Sequence, residues 1–225
     1  MRGSSQTLKN TQINQIFTGK SQFLPGGHTS GIIKHPVDGA VELTRDGIVG
    51  DVQADRRFHG GAEKAVHHYA AENYAVLKDY FPEIEDAFVP GSIGENISTL
   101  GWDEGAVSIG DVFAIGACKV QVSQPRSPCW KINARYGMED ISRLVEERGI
   151  AGWYYRVLQT GMIAAGDEFA LLERNADPVS LREFWRVFLQ PRPEPAQLQR
   201  IGATPGLNED MRARIAERLD WLRKL

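Results

Sequence analysis

The stretch Val112-Phe113-Ala114-Ile115-Gly116-Ala117-Cys118-Lys119-Val120-Gln121-Val122-Ser123 sets the character of the chain. Two short runs rich in β-branched and apolar residues stand either side of a glycine, the mark of brief strands rather than of a helix. The same kind of run recurs at residues 13–18, 31–34, 40–43, 65–69 and 168–172. Many short strands with glycine punctuation predict a barrel or sandwich rather than a doubly wound sheet. Helical periodicity is read over residues 71–81 and 138–147. In the second, Ile141, Leu144 and Val145 share a face and Gly149 is placed to end the helix. A weaker helix is read over 151–158, where Trp153 and Tyr155 would pack inward and Arg156 would aim at a site.

After Asp177-Pro178 the character changes, so the chain divides into a β-rich domain over 1–176 and a helical segment over 177–225. Ser180 and Glu183 form a capping-box pattern ahead of Leu181, Phe184, Trp185, Phe188 and Leu189 at helical spacing. Pro191, Pro193 and Pro195 lead into a short helix ending near Gly202. Asn208 is placed to cap a last helix with Met211, Ile215, Leu219 and Leu222 on one face. Three short helices, each apolar on one side, must pack on one another or on the β-rich domain.

The 225 residues can bury a substantial core, and 42% hydrophobic with 24% charged residues is an ordinary soluble composition. A net charge of −3 supplies no basic excess for nucleic acid. No apolar run is long enough for a membrane span, and the polar N-terminus lacks the apolar centre of a secretory signal. A cytoplasmic location is expected. The two cysteines, Cys118 and Cys129, form no CxxC and no four-ligand zinc pattern.

Working outward from the strand-like run, Val122-Ser123-Gln124-Pro125-Arg126-Ser127-Pro128-Cys129 places a cysteine in a loop stiffened by two prolines. Arg126 and Lys131 flank it, and nearby cations favour the thiolate, the form that attacks electrophiles or binds metals. Cys118, inside a strand-like run, reads as a core residue. A second cluster spans Gly50-Asp51 to Lys64 and joins Arg57 and Lys64 to the glycine pair Gly60-Gly61. Glycines let backbone amides approach an anion, and arginine grips phosphate with a bidentate fork. There is no Walker loop and no GxGxxG. If residues 65–69 form a strand, His67 and His68 point to opposite faces and do not share a metal. His59, in the glycine loop, is the better site candidate. Glu95 and Asn96 offer donors and acceptors suited to the edge of a heterocycle. No GxSxG elbow is present, and a Cys129–His59 hydrolase would rest on residue types alone.

Taken in order, Phe17-Thr18-Gly19-Lys20, Gly50-Asp51, Arg57-Phe58-His59-Gly60-Gly61, Val66-His67-His68-Tyr69, Gly94-Glu95-Asn96 and above all Val122–Cys129 resemble the MOSC domain in its YiiM-type form. The helical tail resembles the three-helix segment that such members add. The resemblance implies a fold mainly β with α, a MOSC-type β-barrel with peripheral helices and a small C-terminal helical module. It implies a molybdenum cofactor, a pterin with a dithiolene and a terminal phosphate, whose metal is bound by Cys129. It offers Arg57, Lys64, Arg126 or Arg156 to the phosphate. His59, Glu95, Asn96 and Gln124 are offered to the pterin, Gly60 to the cofactor without a named part, and His68 has no assigned role.

The activity implied is reduction of N-hydroxylated compounds, such as hydroxylaminopurines, to amines by oxygen removal at the metal. Without a nicotinamide, flavin or iron–sulfur motif, electrons must come from a separate reductase. Two other readings stand beside this one. In the first, Cys129 carries a persulfide or hands the cofactor on without turnover. In the second, the protein is a metal-free cysteine hydrolase.

Overall fold

The computed structural model describes residues 11–53 and 60–224. Among them the strands are β1 (Thr11–Gln12), β2 (Gln15–Thr18), β3 (Gln22–Phe23), β4 (Thr29–Ser30), β5 (His35–Pro36), β6 (Val41–Thr44) and β7 (Gly47–Ile48). They continue with β8 (Val66–Ala70), β9 (Ile97–Thr99), β10 (Val112–Ile115), β11 (Cys118–Pro125), β12 (Trp153–Gln159), β13 (Gly161–Ile163) and β14 (Glu168–Glu173). Nine of these pair in the order β1-β14-β10-β11-β12-β8-β9-β2-β5. The opening stretch is the hairpin β10–β11, with Ile115 opposite Cys118.

The large sheet cannot be flat. β1 and β2 occupy its first and eighth positions, yet Gln12 and Gln15 are only three residues apart, at most about 11 Å of chain. Seven strand spacings across a flat sheet would be about 34 Å. The sheet therefore curls until both its sides reach residues 11–18. There Ile13 N–H bonds Asp167 O at 2.9 Å, and the next residue, Asn14, bonds Ser98 O at 3.1 Å. This change of partner interrupts the ladder, whose edge strands are β1 and β5. Among the described residues the strand pairing closes no barrel, so the β-barrel expected from the resemblance is not confirmed. The fold is mixed α/β, sheet-rich, with an open, curled sheet and several helices.

Two expected elements are corrected. Residues 151–158 do not form a helix: β12 runs through them and pairs with both β11 and β8. Its Trp153, Tyr155 and Val157 alternate with Tyr154 and Arg156, a period of two that a short aromatic run conceals. Residues 31–34 are not a strand either. Ser30 Oγ accepts from Ile32 N–H at 3.2 Å, Arg135 donates to Ile32 O at 3.1 Å, and Gly19 packs against the Ile33 carbonyl. Side chains and close packing hold this segment where a ladder was expected.

The helices are α1 (Asn73–Tyr80), α2 (Lys131–Tyr136), α3 (Ile141–Arg148), α4 (Leu181–Phe188), α5 (Pro195–Ala203) and α6 (Glu209–Leu222). α3 stops where Gly149 takes φ +64°, and its amide closes on the carbonyls of Val145 and Glu146. At the start of α4, Ser180 Oγ accepts from Glu183 N–H at 3.0 Å. None among the described residues is long and apolar enough to cross a membrane.

Two apolar clusters fill the molecule. One joins the inner face of the sheet, with Phe113, Val120, Val122, Trp153, Tyr155 and Phe169, to Phe184, Val187, Ile201, Met211 and Ile215 of the tail. An eight-residue helix such as α4 is marginal alone, so this shared burial is what keeps it folded. The second cluster packs α1, α2 and α3 around Ile32, Tyr69 and Phe88. β8 separates the two: Val66 belongs to the first and Tyr69 to the second.

Candidate functional site

On the face of β8 from which His67 emerges, the side of the second cluster, lies a cleft. It is lined by Ser30 at the end of β4 and by Gly31, Ile32 and Lys34 after it, by Asp51–Gln53, by Lys64, His67, Gly94, Asn96 and Tyr154, and by Arg126, Cys129 and Lys131. Loop and strand chemistry bring them together. Ser123 interrupts the β11–β12 register, with Val122 opposite Tyr155 and Gln124 opposite Tyr154. Beyond this bulge Arg126 N–H bonds Gly152 O at 3.0 Å. The loop then turns, and Cys129 arrives half-buried and reduced, one residue before the turn into α2.

The cleft is rich in cations: Lys34, Lys64, Arg126 and Lys131 meet a single carboxylate, Asp51, among the described lining residues. Lys34 and Asp51 are both buried and pair at 2.5 Å. Burial, the larger effect, lowers the Lys34 pKa, while Asp51 pulls it back up. Asp51 is itself fixed by Gly19 N–H at 2.8 Å and Asn96 Nδ2 at 2.8 Å. Arg126 is 6% exposed; one guanidinium nitrogen, Nη2, donates to Ile93 O at 3.3 Å, and the other, Nη1, has no hydrogen-bond partner. A buried cation with an unused donor costs stability unless an acceptor meets it. That donor is a ready contact for an anion in the cleft.

His67 and His68 divide as strand alternation requires. His67 faces the cleft, and its Nε2–H donates to Ala151 O at 3.2 Å. Burial, with the Arg126 charge second, pushes its pKa well below the usual histidine value, so it is neutral. His68 is fully buried in the other direction, with ring nitrogens 2.9 Å from Tyr155 Oη and 2.8 Å from Thr99 Oγ1. Burial brings its pKa down to about 3. It is a core histidine.

Of the residues singled out in the sequence, Cys129, Lys64, Asn96 and Arg126 line one cleft. Asn96 spends its polar atoms on scaffolding: Oδ1 accepts from His67 N–H, and Nδ2 donates to Asp51 and to Phe17 O. Glu95 lies behind the lining, 0% exposed, with Oε1 accepting from Tyr74 Oη and Gly91 N–H at 2.6 Å each. Burial raises its pKa. Gln124 turns away to meet Asn208 of the tail. Arg156 lies one strand repeat beyond Tyr154 and is held by Glu63 and by Gln121, the latter at 2.7 Å. Gly60 is half-buried ahead of the 3-10 turn Ala62–Lys64. Arg57 and His59 lie outside the described residues.

Several lining residues had no role assigned from the sequence, Tyr154, Lys34 and Asp51 among them. Tyr154 had a legible signal, because in a strand it must face opposite Trp153 and Tyr155. Lys34 and Asp51 are 17 residues apart, and nothing local announces a pair formed by folding.

The arrangement fits the cofactor that the resemblance implies. A soft thiol suits a metal already carrying sulfur ligands, and the partnerless Arg126 donor with three lysines suits a phosphate. Among the described residues no group of three or more His, Cys, Asp and Glu side chains could hold a bare ion. A metal here would need most of its ligands from a cofactor.

Residues 55–170 match the model of the MOSC domain. Protein YiiM of Escherichia coli is 42% identical over 162 residues, covering 72% of each chain. Its crystal structure superposes with a TM-score of 0.79, covering 94% of this chain and 92% of that one. YiiM from Geobacillus stearothermophilus, 30% identical in structural alignment, also gives 0.79, over 93% of this chain and 99% of that one. A protein of Gibberella moniliformis named "Reductase" is 38% identical over 169 residues, which are 75% of this chain and 30% of that protein. The chain belongs to the MOSC-domain family and is of the YiiM type.

Proposed function

We propose that this protein binds a molybdenum cofactor through Cys129 and uses it to reduce N-hydroxylated small molecules to amines. The observation that carries the reading is one cleft holding Cys129, the partnerless donor of Arg126, and Lys34, Lys64 and Lys131. MOSC membership and a relative named as a reductase support a cofactor-associated redox role. When bound, the cofactor supplies two-electron oxygen-abstracting chemistry.

The chain's own residues do the rest. Cys129 Sγ serves as the protein ligand. Arg126 Nη1 and the lysines offset the charge of a terminal phosphate. Asp51 and Asn96 hold Lys34, the β2 carbonyl of Phe17 and β8 in one arrangement, so the site is preorganised. His67, kept neutral, adds no further positive charge. Tyr154 lies on the lining, and burial raises its pKa, so its phenol keeps its proton at neutral pH and is an O–H donor. Electrons come from a separate reductase, and the substrate is a small N-hydroxylated molecule.

The test is metal content with and without the thiol. Protein made in cells that synthesise the cofactor is expected to contain stoichiometric molybdenum and to reduce an N-hydroxylated purine with an artificial electron donor. Cys129→Ala is expected to lose both while melting as the wild type does. Full molybdenum in Cys129→Ala would remove the thiol from the site. Molybdenum without reduction of any N-hydroxylated substrate would leave a cofactor carrier instead.

A further inference from the structure

The tail meets β11, the strand that leads into the Cys129 loop, through α4 and through the turn between α5 and α6. Within the turn between α5 and α6, Asn208 is 2% exposed and engages Ser123 and Gln124, two residues near the end of β11. Its backbone N–H donates to Ser123 O at 2.9 Å, and its side-chain Nδ2 donates to Gln124 Oε1. Its Oδ1 caps α6 by accepting from Met211 N–H at 3.0 Å. One side chain therefore ties a helix start to a strand end. Beside it Gly206 lies so close to Gly110 that a Cβ on Gly206 would come 2.4 Å from Gly110 Cα. Gly110 N–H in turn bonds Val122 O at 2.9 Å. The tail is seated on β11 by backbone contact.

Ser123 is the residue at which the β11–β12 register shifts. A bulge leaves backbone groups outside the ladder and redirects the strand beyond it. Here Asn208 takes up the Ser123 carbonyl, and Ser123 Oγ reaches Glu63 O at 2.5 Å and Tyr154 O at 3.1 Å. The next residues are Gln124, Pro125 and Arg126, and two prolines carry that direction to Cys129 with little freedom.

We propose that Asn208 is a positioning residue for the Cys129 site: by locking the bulge at Ser123 and the side chain of Gln124, the C-terminal segment sets the direction of the loop that presents Arg126 and Cys129. The proposal rests on the reading of Cys129 as the reactive centre, and its test does not require the cofactor.

The experiment measures alkylation of each cysteine by iodoacetamide in cofactor-free protein, with buried Cys118 as internal reference. Asn208→Ser keeps a cap for α6 but cannot reach Gln124. It is expected to change the Cys129 rate by about fivefold, the population shift that loss of one net hydrogen bond permits, with Cys118 unchanged. Asn208→Asp keeps the cap and accepts from Gln124 once that amide turns over, so its Cys129 rate is expected to match the wild type. If Asn208→Ser fails to fold, Gln124→Met breaks the same contact from the strand side and is expected to give the same selective change. An unchanged Cys129 rate in a folded variant, or parallel changes at both cysteines, overturns the proposal. Failure of the cofactor reading shows elsewhere, as wild-type protein without molybdenum.

Discussion

The Lys34–Asp51 pair illustrates how much one buried residue carries. Asp51 neutralises a lysine that burial alone would disfavour as a cation, and it also accepts from Gly19 and Asn96. Removing a partner from a buried pair leaves an uncompensated charge, which costs more than the pair contributes. Asp51→Asn is therefore expected to lower unfolding stability by about 3 kcal/mol in urea denaturation. It should also weaken anion binding in the cleft, since Asn96 and Lys34 lose their common anchor. A variant as stable as the wild type would show that Lys34 simply deprotonates. At the same scale, Cys129 could be singled out from its own neighbourhood, because its prolines and cations are local, and it lines the cleft. Glu95, Gln124 and Arg156 lie outside that lining, because their side chains find partners far along the chain: Tyr74, Asn208 and Glu63.

Among the elements, β12 determines the site, because it carries the core residues Trp153 and Tyr155 on one face and Tyr154 on the other. Just before it lies Gly152, where φ is +76° and a Cβ would sit 2.1 Å from His68 O. A methyl group there is strained by conformation and blocked by backbone that cannot move without displacing β8. Gly152→Ala is expected to cost about 3 kcal/mol or more, read as a fall in thermal midpoint. A neutral result would mean that β8 shifts freely, against its pairing with both β12 and β9. Periodicity in the sequence placed α1, α3 and the three tail helices, because an amphipathic face shows at every turn. It misplaced residues 151–158, where five alternating positions were too few to distinguish period two from period 3.6 in an aromatic-rich run.

For the whole molecule, two buried histidines link stability to pH. The folded-state pKa of His68 is about 3, below the unfolded value of about 6.5. The unfolded chain therefore binds the extra proton first as pH falls. The stability His68 contributes in its neutral form is present above about pH 6.5 and is lost on acidification toward pH 3, at about 1.4 kcal/mol per pH unit. Buried Glu104, raised to about 7 by burial, works in the opposite direction. Comparison with a variant isolates the histidine. His68→Phe forfeits the bonds to Thr99 and Tyr155 and is expected to be less stable at pH 7. Its deficit relative to the wild type should shrink as pH falls from 6.5. Parallel stability curves for the two proteins over that range would show that His68 titrates normally. The same global view accounts for the tail, whose helices share one apolar cluster with the curled sheet and do not build a separate one.

The sequence by itself determined the β-rich character, the helices with their Ser180 and Asn208 caps, the stiff cation-flanked Cys129 loop and the family resemblance. Each is written in neighbouring residues or in a short repeat. Only the tertiary structure decided that the sheet is open but curled, because a change of hydrogen-bond partner at Ile13–Asn14 has no local signature. It also decided that Lys34, Asp51 and Tyr154 join Cys129 and Arg126 in one cleft, while Glu95, Gln124 and Arg156 lie outside its lining. The physical reason is common to all of these. A buried charge or amide must find a partner, and which partner is within reach depends on how distant strands pack, not on the residues beside it.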